Sequence, residues 1–64
     1  MTAIDKIYDW LNDIADEQGI SDIEIACYIA EGEIKKPDWM GMVVHNDWIK
    51  LYDRETKDSV KISF

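Results

Sequence analysis

Two helices packed on a three-stranded antiparallel meander, an α+β fold, are what this sequence predicts, and three observations predict it. Apolar residues in the first half recur at helical spacing, and the residues after Pro37 fall into three short β-forming runs. The connections between those runs are short enough to require antiparallel neighbours.

The first helix is expected over Thr2–Gln18. Ile4, Ile7, Tyr8, Leu11, Ile14 and Ala15 fall at alternating steps of three and four, which lays one apolar stripe along a helix. Thr2 is placed to cap its start, with Asp5 three positions on, and Gly19 to end it in a left-handed turn. Ser21-Asp22-Ile23-Glu24 then matches a capping box, in which a Ser hydroxyl and a Glu carboxylate serve the free amides of a helix start. The run Ile25–Ala30 that follows is apolar on every side, so a helix ending near Gly32 would be largely buried. A strand through Ile23–Ile29 competes with that helix, because the β-branched residues at 23, 25 and 29 tolerate extended backbone.

Lys35-Lys36-Pro37-Asp38 reads as a linker, since Pro37 removes an amide donor and turns Lys36 away from helical angles. The predicted strands are Trp39–Val44, Trp48–Tyr52 and Ser59–Phe64, joined by His45–Asp47 and by Arg54–Asp58. Side chains alternate along a strand, so Ile49 and Leu51 share one face and Val60, Ile62 and Phe64 the matching face of the next strand.

Sixty-four residues with 47% apolar composition can fold around one small core, and the chain is expected to be one domain spanning 1–64. The lone Cys27 leaves no intramolecular disulfide, which fits a reducing cytoplasm. No apolar stretch approaches the roughly 18 residues that a membrane span needs.

The formal net charge is -7, and it is unevenly placed. Residues 1–34 carry nine acids against one base, Lys6, a balance of -8; residues 35–64 carry five acids and six bases, a balance of +1. Such a chain repels phosphate, which argues against direct binding of nucleic acid or an anionic membrane and for a basic partner. On the first helix Asp5, Asp9, Asp13 and Asp16 or Glu17 step by about one turn and line up opposite the Ile7-Leu11-Ile14 seam. Asp22, Glu24, Glu31 and Glu33 continue the series, and these nine carboxylates are the candidate partner-binding residues. They can stand in for a run of backbone phosphates before a Lys/Arg-lined groove, or they can simply be a solvated face that keeps a small protein soluble. Trp10, Trp48 and Tyr52 are candidate aromatic contacts, Trp10 because it falls off the main seam and the other two because they oppose Ile49 and Leu51. If helices cover only one sheet face, some of Trp39, Trp48 and Tyr52 should be partly exposed, as binding hot spots often are; the alternative is that these rings simply close a tiny core.

No catalytic residue, metal ligand or cofactor is indicated. His45 is the only histidine and reads as a solvated turn residue, and Cys27 reads as a buried structural thiol. An enzyme is not expected.

In size, charge and organisation the whole chain resembles the small acidic anti-defence proteins encoded by phage, notably anti-CRISPR inhibitors, several of which block DNA or PAM recognition by imitating nucleic acid. That class-level resemblance implies an inhibitor acting in the cytoplasm of a host cell, whose target is an RNA-guided CRISPR surveillance complex. The chain itself is expected to be a monomer or weak homodimer. Locally, Gly19–Ala26 is similar to the entry into the second helix of helix-turn-helix domains. The expected place of a recognition helix, however, holds Lys35-Lys36-Pro37-Asp38-Trp39-Met40-Gly41, and the charge is wrong for phosphate contact. A relic of that fold turned to protein binding is the alternative, as is a small adaptor that docks through its exposed aromatics.

Overall fold

In a computed structural model that describes residues 2–63, the element order is α1 (Ala3–Gln18), α2 (Asp22–Glu31), β1 (Met40–Val44), β2 (Trp48–Asp53) and β3 (Ser59–Ser63). Phe64, expected at the end of the last strand, lies outside the described residues.

Both helices begin and end where local chemistry directs. The Thr2 hydroxyl accepts from the Asp5 amide at 3.2 Å while the Asp5 carboxylate accepts from the Thr2 amide at 3.3 Å, a complete capping box. At Gly19 the backbone turns left-handed, φ 67°, and its amide closes on the Ala15 carbonyl at 2.7 Å. Ser21 caps α2 by accepting from the Glu24 amide, and Gly32 ends it. Residues 22–31 are therefore helix. Only the Ser21 half of the expected capping box forms, because the Glu24 carboxylate takes the Ser21 hydroxyl instead of the Ser21 amide; that cap and the glycine after the helix still outweigh the β-branched residues between, whose propensity difference is a fraction of a kcal/mol per residue.

The expectation of a largely buried second helix is corrected. Ile25, Ala26 and Ile29 are buried, but Cys27 and Tyr28 are half-buried, Ala30 is exposed and Ile23 is 41% exposed. A two-layer domain has one sheet face to offer, so α2 can bury only one side. For the same reason Cys27 sits at the rim of the core, not inside it.

The sheet order is β1-β2-β3, with both pairs antiparallel. Compared with the sequence expectation, β1 starts one residue later and β2 runs one residue longer, to Asp53. Ile49 pairs with Ile62 and Leu51 with Val60, so the expected shared face forms in register. Those four residues, with Met40, are buried against Ile7 and Leu11 of α1 and Ile25, Ala26 and Ile29 of α2. Helix α1 packs on α2, β2 and β3, and α2 packs on β3. The molecule measures 27 × 27 × 19 Å. Nineteen ångströms is the depth of one helix layer on one sheet, each about 10 Å thick, which leaves the outer sheet face uncovered by any helix. No described helix is long and apolar enough to cross a membrane.

Candidate partner-binding surface

On α1 the helical repeat turns Ile7 and Leu11 into the core, and Asp5, Asp9, Asp13, Asp16 and Glu17 are exposed on the other side. Glu24, Glu31 and Glu33 are also exposed, and Asp22, the first residue of α2, is half-buried. Two of these nine carboxylates also serve caps: Asp5 completes its capping box, and Glu24 accepts from the Ser21 hydroxyl at 3.3 Å.

The one base of this half points elsewhere. The Lys6 ammonium stands 4.1 Å from the centre of the Trp39 ring, a cation–π contact with the residue just before β1. Lys6 also acts on Asp53, whose pKa its charge helps to lower. Lys6 stands next to Asp5 and three residues before Asp9 on α1, but its ammonium is engaged by Trp39, and no other base lies on that helix. Like charges one turn apart cost a helix a few tenths of a kcal/mol per pair. Asp16 and Glu17 add to that cost, because the last turn of α1 holds no base and its dipole is negative there.

The candidate aromatics are placed differently from one another. Trp10 is half-buried and packs against the core, as does Trp39. Trp48 and Tyr52 lie on the outer sheet face and are half-buried although no helix covers them. What covers them is local: the His45 ring stacks on Trp48 at 3.9 Å and 12°, and the Lys61 ammonium lies 5.0 Å from the Trp48 ring centre. Tyr52 lies over Gly41, its cross-strand partner, with the Lys50 ammonium 5.5 Å away. Lys50 and Lys61 face each other directly across the β2–β3 pair, and each leans to a different ring, which separates two like charges. His45 is exposed, as expected of a turn residue, yet its stack on Trp48 gives it a structural part that a lone turn histidine does not announce.

Sequence reasoning missed Asp53. It is buried, 5% exposed, and its Oδ1 accepts from the backbone amides of Glu55 at 2.8 Å and Thr56 at 3.0 Å. The Thr56 amide above all, with help from the Glu55 amide and the Lys6 charge, holds its pKa below the ordinary 3.8, against burial, which pushes the other way. The signal was present: an Asp at a strand end followed by a polar five-residue connection is a typical Asx-turn start.

A groove of about 350 Å³ opens between Tyr8, Asp22 and Ile23 of the helices and Val60 and Ile62 of β3. Among the described residues no group of three or more His, Cys, Asp or Glu could hold a metal ion. No protein-family model, curated protein or solved structure matches the chain, so these surfaces are read from their own chemistry.

Proposed function

We propose that the chain is an acidic inhibitor that binds a nucleic-acid-binding complex and blocks DNA recognition with a DNA-like carboxylate surface. The observation that carries this reading is the exposed α1 stripe, Asp5, Asp9, Asp13, Asp16 and Glu17, with Lys6 held away on Trp39. A 16-residue helix is about 24 Å long, and acids one turn apart recur about every 6 Å along it. A groove lined with Lys and Arg to follow a phosphate backbone meets in such a helix a rigid row of negative charge, and Glu24 and Glu31 of α2 are exposed as well. The target class is the CRISPR surveillance complex that the class resemblance implies.

Docking through aromatics is the weaker reading, because His45 and Lys61 occupy Trp48 and Gly41 and Lys50 occupy Tyr52.

The test is competition. The chain should displace DNA from its target, with an affinity that falls steeply as salt rises. Replacing Asp9, Asp13 and Asp16 together by Lys should abolish displacement while circular dichroism stays unchanged. Undiminished inhibition by that folded variant would remove the reading.

A further inference from the structure

The two edges of the sheet are defended unequally. His45 donates to the Trp48 carbonyl at 2.8 Å and Arg54 to the Trp39 carbonyl at 3.0 Å, so the hydrogen-bonded pairs of the β1–β2 ladder are set at both ends. Alternation then turns Gly41 and Val43 toward β2, and Met40, Met42 and Val44 toward the free edge of β1. The Met40 amide is taken by the Pro37 carbonyl at 3.1 Å, whereas Met42 and Val44 have no such loop partner among the described residues. On the other edge, the Asp53 amide bonds the Asp58 carbonyl at 2.9 Å, and the same alternation turns Ser59, Lys61 and Ser63 outward. A polar edge with a lysine is a common protection against strand addition. The β1 edge, Met-Gly-Met-Val-Val, has neither charge nor proline, and Val43 and Val44 are 39% and 54% exposed.

We propose that this edge is a homodimer interface, in which β1 pairs antiparallel with β1 of a second copy to join the two three-stranded sheets into one of six strands. The register follows from the outward groups: Met42 bonds Val44 of the second copy and the reverse, which centres the two-fold axis on Val43 opposite its own copy. That places the two exposed Val43 side chains together on the outer face and each Val44 against Met42 on the helix face. The charges agree with an antiparallel approach. Lys35, Lys36 and Asp38 line a groove of about 430 Å³ with Ile29, Ile34 and Met42 before and along β1, which leaves it one positive charge in excess. Asp47 follows the end of β1, so the two-fold brings Asp47 of the second copy toward that net-positive groove. Two-fold pairing uses both free edges at once and closes, whereas an added peptide of another protein would have to supply its own acid. A contact built on one strand and its neighbours falls in the weak class, below about 1,200 Å².

The experiment uses the whole chain. Sedimentation equilibrium from micromolar to millimolar concentration should show the mass rising from 7.5 kDa toward twice that value, and Val43→Lys should hold it at one copy with an unchanged circular dichroism spectrum. In a Cys27→Ala background, Val43→Cys should form a covalent dimer under mild oxidation. Residues facing across a non-hydrogen-bonded pair have Cα atoms about 4.5 Å apart, within the roughly 4.4–6.8 Å that a disulfide spans. Lys61→Cys, on the opposite edge, should stay monomeric. A constant one-copy mass, association that survives Val43→Lys, or cross-linking of Lys61→Cys as fast as that of Val43→Cys would each overturn the proposal. A one-copy mass would also return the edge to an extended segment of some other protein.

Discussion

The Tyr52 ring occupies the space in which a side chain at its cross-strand partner Gly41 would stand. This relationship explains why an uncovered sheet face can still half-bury a tyrosine, because the aromatic ring covers the strand where glycine leaves it bare. Gly41→Ala would drive its methyl into that ring, which must move, at about 1–3 kcal/mol. Urea unfolding should show that loss, and Gly41→Ala with Tyr52→Ala should lose less than the sum of the single changes, since removing the ring removes the clash.

Leu51 is fully buried at the centre of the sheet, between the helices and its partners Met42 and Val60. Leu51→Ala should cost about 2–5 kcal/mol. A chain of this length has about 3–10 kcal/mol in total at typical values per residue. Thermal and urea unfolding should therefore find a large part of the variant unfolded at room temperature, where Val43→Lys on the exposed edge remains folded.

Asp53 makes stability depend on acid. Its pKa in the fold is lowered from 3.8, so its contribution is fully present above that ordinary value and is lost as pH falls through the lower one. The urea midpoint of the wild type should exceed that of Asp53→Asn at neutral pH. The gap should hold down to mildly acidic pH, narrow progressively below 3.8 and close only as the pH falls through the lowered pKa of the fold.

Lys6 over Trp39 is a contact of a kind worth about 0.5–1 kcal/mol at exposed sites. Lys6→Met should lower stability by about that amount and alter tryptophan emission. The same change should leave or strengthen binding to a basic partner, because it removes the only positive side chain of residues 1–34.

Asp16 lies in the last turn of α1, where the helix dipole disfavours an acid. Asp16→Lys should raise stability by about 0.3–1 kcal/mol and at the same time weaken displacement of DNA from the target. A gain in melting temperature with unchanged inhibition would place the contact surface elsewhere on the molecule.

Much of the backbone was legible in the residues themselves. Thr2, Gly19, Ser21 and Gly32 mark helix ends through interactions within four residues, and the alternation of Ile49, Leu51, Val60 and Ile62 announces a shared sheet face. Local hydrogen bonds and side-chain period act over short stretches of chain, so a sequence displays them. The exposure of the α1 acids is legible for the same reason, because a helix with one apolar seam must turn its opposite residues to water.

Other features exist only once the layers are stacked. That α2 buries one side, that Lys6 reaches Trp39 and Asp53, that Tyr52 lies on Gly41, and that Lys61 guards one edge while nothing charged guards the other all depend on partners far apart in the chain. By itself the sequence determined where helix caps stand, the bounds of the strands to within a residue, and how charge divides between the two halves. The tertiary structure decided which of those charges remain open to a partner, because removal from water and contact with distant rings are set by packing and not by spacing along the chain.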